Sequence, residues 1–500
     1  MKARTIMIQG TASSVGKSVI SAALCAYFRE EGFRVAPFKS QNMSNNSFVT
    51  SSGGEIGRAQ AFQAQACGIE AAVEMNPILL KPSGEMGAQV VVLGKPVGTM
   101  TTPEYHAFYP ELIRVVRASF ERLASHHDIV VIEGAGSPAE INLREFDIAN
   151  MAVAKLARAP VVLVGDINLG GVFASLVGTL LLLEPDERAV VKALLINKFR
   201  GELALLQPGI RSLEAKTGKR ILGVLPFVET LQVAEEDMVR ESRLESAAVP
   251  GNGKLRIEVI HLPHISNATD FEAFTNEVDV IVQFLTRVPE SGRLPDALIL
   301  PGSKSTMADL AYVRSSGFAR YIGLCREAGV PIIGICGGYQ MLGKELLDPD
   351  GIESATPSAK GLGLLRLRTS FHPEKRTVRV HGVDIETGRE VSGYEIHMGR
   401  TEGPDTARPV FRLVGEMGCP TDRPEGARSE NGLIWGTYLH GVFDTTAYRR
   451  HFLNRLRARH GWPPLAALAD RANQTFPSLA ALIRDHVDLP SLHQIVDGQL

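Results

Sequence analysis

The segment Gly10-Thr11-Ala12-Ser13-Ser14-Val15-Gly16-Lys17-Ser18 constrains this chain more than any other part of it. It follows a short apolar run, residues 5–9, and precedes an apolar stretch with helical spacing, so strand, glycine-rich turn and helix start come in that order. Glycine lets backbone N–H groups close around phosphate, and a helix N terminus favours the anion. The Lys17 ammonium reaches the outer phosphates and the Ser18 hydroxyl suits Mg2+. Gly10, Thr11, Ser14, Gly16, Lys17 and Ser18 are therefore expected to hold ATP. The spacing carries one residue more than G-x-x-x-x-G-K-[ST], with Thr11 where the first glycine would stand.

The surrounding pattern sets the fold class. Short apolar runs at 5–9, 33–38, 129–132, 161–164, 193–196 and 221–225 alternate with helical stretches, and most lack strand alternation. Such runs fit strands buried on both faces of a parallel sheet. A second α/β series follows, with strands expected at 255–260, 278–282, 297–300, 332–335 and 433–438. A chain of 500 residues, 44% of them hydrophobic, is long enough for two cores. The expected class is α/β: a P-loop doubly wound, mostly parallel sheet, followed by a second α/β domain. The expected division is a P-loop domain over 1–232, a charged and Pro/Gly-bearing linker over 233–253, a second domain over 254–455 and a helical extension over 456–500.

A formal net charge of −2 with no Lys/Arg stripe argues against nucleic acid as a partner. The longest apolar stretches fall short of the ~20 residues that cross a bilayer, so no membrane partner is expected. With no signal-peptide pattern at the start, the expected location is cytoplasmic. Five scattered cysteines without a C-x-x-C pair fit neither a disulfide framework nor a structural zinc site.

A P-loop needs an acid for its metal at the end of another strand. Glu133, closing Ile129-Val130-Val131-Ile132, meets that requirement, and Asp166 after Val161-Val162-Leu163-Val164-Gly165 has a weaker claim. Asn197 offers an amide to a nucleotide base, or else caps a turn. The polar segments 39–46 and 53–58 follow the second strand. They are either solvated loops or contacts to substrate or metal, and Glu55 is the metal candidate within them.

A second chemistry appears at Gly334-Ile335-Cys336-Gly337-Gly338-Tyr339-Gln340. A buried strand, a nucleophile and a glycine turn into a helix present the side chain at the sheet edge. A helix N terminus there favours the thiolate form. Attack on an amide also needs a proton carrier and an oxyanion hole. His440, just after a strand, is the leading base and His397 its competitor. Backbone N–H groups near Gly302, in Leu300-Pro301-Gly302-Ser303-Lys304-Ser305-Thr306, and at Gly337 are expected to hold the oxyanion.

Taken in order, GTASSVGKS, VVIEGAGS, PGSKST, GICGGYQMLG, GYEIHMG and WGTYLHGVF closely resemble the cobyric acid synthase family over roughly residues 3 to 455. The resemblance implies a dethiobiotin-synthetase type of P-loop fold joined to a class I glutamine amidotransferase fold. It implies four ATP- and glutamine-dependent amidations of adenosylcobyrinic acid a,c-diamide, with Cys336 as nucleophile and His440 as its base. The small-molecule partners implied are the corrin acid, glutamine and ATP. Class I enzymes usually carry His-x-Glu, whereas Val442 stands two residues after His440, a loss the cobyric acid branch shares. The third member of the site is left open among a backbone carbonyl, a carboxylate elsewhere and the docked synthetase domain; Glu395 and Asp444 are the nearest carboxylates in sequence. Two rival readings stay open: an amidoligase for another acid, such as cobyrinic acid or a cell-wall precursor, and a P-loop ATPase switch with an idle thiol domain.

Overall fold

The apolar runs of the first half become six strands: β1 (Arg4–Gly10), β2 (Val35–Phe38), β3 (Ile129–Glu133), β4 (Val161–Asp166), β5 (Val191–Phe199) and β6 (Arg220–Pro226). In the computed structural model they pair in the order β6-β5-β4-β1-β3-β2, every pair parallel. The structure describes residues 3–82, 87–228, 253–290, 292–468 and 472–500; of the expected linker, all but Gly253 lies outside the described residues. Met7, Val130 and Ile132 feed one apolar core, while Ile6, Ile8, Ile129 and Val131 feed another on the opposite face. Neighbouring residues thus enter different cores, which is why these strands read as unbroken apolar runs.

The second sheet uses β7 (Leu255–Ile260), β8 (Val280–Leu285), β9 (Ala297–Leu300), β10 (Ile332–Ile335), β11 (Ala427–Arg428) and β12 (Ile434–Thr437). Its order is β8-β7-β9-β10-β12-β11, parallel except at the edge strand β11. In both sheets the segments after the strands converge on the C-terminal rim, where open α/β sheets bind ligands.

Two antiparallel layers were not expected from the sequence. Arg368–Asp384 pairs with Glu390–Glu402 and then with Phe411–Glu416, and Ile78–Pro82, Ala88–Val92 and Lys95–Met100 form a meander. The layers bring Lys81, Gln89 and Lys375 to the contact between the domains.

The extension expected over 456–500 is mostly helical, and its packing is divided between the domains. Thr446–Arg459 still belongs to the second domain, whereas α-helices at Ala472–His486 and Leu489–Val496 return to the first. Leu479, Ile483 and Leu492 join Leu24 and Phe28 in one buried cluster, and Val487 bridges Gly223. The helix Lys17–Glu30 is buried almost all round because the chain end covers the face that the sheet leaves open. Both ends of the chain build the P-loop domain.

Candidate active sites at two sheet rims

The loop after β1 turns on Gly16, whose φ of 101° lies in the left-handed region and whose missing Cβ leaves room for the Asn197 amide. Asn197 Nδ2 donates to the Val15 carbonyl at 2.8 Å, so this amide braces the loop from behind. Lys198 was not anticipated by the sequence reading. Its ammonium bonds the Ser14 carbonyl and pairs with Asp166 at 2.9 Å. Asp166 and Asn197, both read as possible ligand contacts, thus support the loop's shape.

Lys17 Nζ donates to the carbonyls of Ala12 (2.9 Å) and Gly136 (3.0 Å). At its neighbour, Ser18 Oγ donates to Glu133 Oε1 at 2.7 Å, which joins the helix start to the end of β3. Glu133 is wholly buried, and Lys39 lies 3.1 Å from the same oxygen while Gln63 donates to the other. Burial raises the Glu133 carboxyl, but the Lys39 charge and these hydrogen bonds outweigh it and hold it below the ordinary carboxylate value. Ser18 and Glu133 bring a hydroxyl and a carboxylate together beside the loop, a donor pair that fits Mg2+ with bound phosphate if the Ser18–Glu133 hydrogen bond gives way to the metal. Mg2+ typically uses one or two carboxylates together with substrate phosphates.

Glu55 is a correction. The structure places it at the domain contact, where Lys81 and Ser47 hold Oε1 and Lys375 holds Oε2, each at 2.6 Å. Burial raises its carboxyl, yet the two lysines win and hold it well below the ordinary value. Its oxygens are committed to lysines rather than to a site with Ser18 and Glu133.

A cavity of about 510 Å3 opens in front of Lys17 and Ser18, and Gln41, Arg144, Phe146 and Asn150 help line it. Met43 and Leu143 on its wall are about half exposed, at 50% and 49%.

On the second sheet Cys336 follows β10 with φ 49° and ψ −106°, a strained turn that lifts the side chain off the strand. Its N–H donates to the Thr437 carbonyl on β12 at 2.8 Å. A Cβ on Gly337 would stand 2.8 Å from the Ser303 nitrogen, and one on Gly302 would stand 3.0 Å from His440 Cε1. The loop after β9, the thiol turn and the base therefore meet, and Gly302 and Gly337 lie beside Cys336 as expected.

His440 follows β12, and its Nδ1 lies 2.7 Å from Asp270 Oδ2. The other Asp270 oxygen accepts the Gly441 N–H at 3.0 Å, so the carboxylate fixes both ring and backbone. Burial disfavours the imidazolium, but Asp270 and the Cys336 sulfur together raise His440 to about 10. Of the three partners left open for His440, the one in contact with its Nδ1 is a carboxylate, Asp270, which the sequence had not singled out; it sits 170 residues before His440 in a 3-10 turn, Ala268–Phe271, on the loop after β7. Glu395 is instead tied to Arg376 (2.7 Å) and Arg423, and Asp444 to Arg58 of the P-loop domain (2.9 Å). His397 stacks on Tyr438 at 3.7 Å and its Nδ1 faces the Gly399 carbonyl at 2.8 Å. Burial holds His397 down to about 4, a neutral ring beside the charged His440.

The P-loop domain reaches this site. Asn267 Oδ1 accepts the Ser47 N–H at 2.8 Å, three residues before Asp270, and Phe48 packs on Tyr394, which stacks against His440. The cavity in front of Cys336, about 460 Å3, is lined by Lys81, Gln89 and Thr99 from the first domain together with Lys304, Gln340 and Lys375 from the second.

Residues 6–239 match the CobQ/CobB/MinD/ParA nucleotide binding domain, and residues 256–448 match the CobB/CobQ-like glutamine amidotransferase domain. A cobyric acid synthase of Sorangium cellulosum is 48% identical over 99% of both chains. The chain belongs to the cobyric acid synthase family. Membership makes it a glutamine-hydrolysing ligase. Cobyric acid synthases of Dehalococcoides mccartyi, covering 99% of each chain, and Pelotomaculum thermopropionicum, covering 99% of this chain and 97% of the relative, are each 46% identical to it. The order of the two domains along the chain matches the order of the two rims described above. No helix of the described residues is long and apolar enough to cross a membrane.

Proposed function

We propose that this chain amidates the b, d, e and g carboxylates of adenosylcobyrinic acid a,c-diamide, using ATP to activate each acid and glutamine as the nitrogen source. At the first rim the substrates are ATP and the corrin acid. Lys17 and the loop N–H groups hold the phosphates, so that a corrin carboxylate attacks the γ-phosphorus in line and forms an acyl phosphate with release of ADP. Ser18 and Glu133 would hold Mg2+, which would supply neutralisation of phosphate charge. Activation is needed because a carboxylate is a poor acyl donor. The half-exposed Met43 and Leu143 support a substrate with apolar faces.

At the second rim the Cys336 sulfur attacks the glutamine carboxamide and the N–H groups near Gly302 and Gly337 hold the oxyanion. His440, oriented by Asp270, protonates the departing nitrogen, and water then releases glutamate from the thioester. The ammonia displaces phosphate from the acyl phosphate at the first rim. Because free ammonia is mostly protonated near neutral pH, transfer has to occur without exchange with solvent.

The observation that carries this reading is the cavity in front of Cys336, whose walls come from both domains. Incubation with the a,c-diamide, ATP and glutamine, followed by mass spectrometry, is expected to give a corrin with four further carboxamides. Glutamine and ATP consumption with an unmodified corrin would contradict the substrate assignment.

A further inference from the structure

The cavity in front of Cys336 holds more charge than thiol chemistry uses. Lys81, Lys304 and Lys375 all line it. Glu55 pairs with both Lys81 and Lys375, at 2.6 Å each, and its single charge leaves that group net positive. Lys304 follows Ser303, the residue that abuts Gly337, and its ammonium donates to the neutral Gln89 Oε1 at 2.7 Å. On the same cavity, Glu353 accepts the Met307 N–H at 2.9 Å. Among the described residues neither Lys304 nor Glu353 forms an ion pair, although both are half-buried. Burial, followed by the charges of Lys81 and Lys375, pushes Lys304 down to about 7, and burial pushes Glu353 up to about 7. Lys304 and Glu353 attract each other across the cavity without a direct ion pair, so a cation and an acid beside a nucleophile are placed to receive a ligand that carries both charges and an electrophile.

Glutamine has that form: a carboxamide at one end, an α-carboxylate and an α-ammonium at the other. Resting on the glutaminase reading above, we infer that Lys304, backed by Lys375 and Lys81, holds the α-carboxylate of glutamine, and that Glu353 holds its α-ammonium while the carboxamide lies at Cys336. The P-loop domain supplies Glu55, Lys81 and Gln89, which set the positions of Lys304 and Lys375. Recognition of glutamine thus needs both domains, and a free thiol domain lacks half of the scaffold for the carboxylate end.

The test compares ammonia release from three amides: glutamine, 4-aminobutanamide, which lacks the α-carboxylate, and glutaramate, which lacks the α-amino group. A hydrogen bond to a charged group contributes enough that each analogue is expected to lose about 10- to 100-fold in kcat/KM with the unaltered chain. Lys304→Met is expected to lose about that factor on glutamine and glutaramate while changing 4-aminobutanamide little, since the group it serves is already missing. Glu353→Gln is expected to lose it on glutamine and 4-aminobutanamide but not on glutaramate. Lys304→Arg, which keeps the charge, is expected to restore part of the preference for the carboxylate. A fall by one common factor on all three amides, or no change on any of them, would overturn the subsite and leave the glutaminase reading standing. Absence of ammonia release from every amide by the unaltered chain would overturn that reading and the subsite with it.

Discussion

The nucleotide rim and the thiol rim occupy the same place on two parallel sheets, yet they are assembled in different ways. Nine consecutive residues make most of the first: Gly10 to Ser18 carry the turn, the lysine and the hydroxyl, and one further strand end adds Glu133. The second draws Gly302, Cys336, His440 and Asp270 from loops after four different strands, and its cavity is closed by the other domain. A phosphate site needs backbone N–H groups in a row, which local sequence can supply. A thiol site needs an acid, a base and a nucleophile at fixed separations, which only a folded sheet can supply.

The comparison breaks most visibly at the nucleophile. Cys336→Ala is expected to lower glutamine hydrolysis about 10^4-fold or more while leaving corrin amidation from concentrated ammonium salt. Equal loss with both nitrogen sources would place the thiol in the synthetase reaction or in folding. Next comes the acid. Asp270→Asn is expected to cost about 10^3- to 10^4-fold in glutaminase kcat, because an amide whose oxygen keeps the Gly441 N–H turns its NH2 to His440 Nδ1 and holds the wrong tautomer. The same change removes the charge that raises His440 to about 10, so the basic limb of the glutaminase pH profile is expected to move to lower pH. The sign for stability agrees: the contribution of a raised His440 is complete below its ordinary 6.5 and is lost as pH climbs through about 10. A limb that stays in place in Asp270→Asn would contradict the pairing.

Lys17→Ala tests the other rim. Loss of one cation from the phosphoryl transition state is expected to cost about 10^2- to 10^3-fold with glutamine and ammonium alike. Survival of the ammonium reaction would break the acyl-phosphate route. The smallest effect is expected at the domain edge, where Asp444 is 40% exposed opposite Arg58. Asp444→Asn is expected to change stability by less than about 1 kcal/mol in a thermal melt and to leave hydrolysis near normal. A loss as large as that of Asp270→Asn would move the acid to Asp444.

What the sequence revealed follows the same division. All eleven strands read from apolar runs are present, because a strand buried on both faces carries its signal in its own composition. The placement of the phosphate loop, Glu133, Cys336, His440 and the Gly302 loop at the sheet rims was legible because each ends or follows such a strand. Asp270 was not, since Asn267-Ala268-Thr269-Asp270-Phe271 reads as an ordinary polar turn and gains its meaning only from lying opposite His440. Glu55 failed for the opposite reason. Its loop is rich in polar groups, as a metal site would be, but Lys375 arrives from a strand 320 residues away and the carboxylate pairs with it instead. The return of residues 472–500 to the first domain leaves no local mark beyond an amphipathic pattern, because which face it covers is a property of the helix Lys17–Glu30.

The central claim is that nitrogen released at Cys336 reaches the P-loop rim inside the docked chain. Glutamine labelled with 15N in its amide, supplied with the a,c-diamide and ATP in an excess of unlabelled ammonium, puts that claim to measurement by mass spectrometry of the corrin product. The account predicts that the new carboxamides carry the glutamine label almost undiluted. Label diluted to the proportion of the bulk ammonium pool would contradict it.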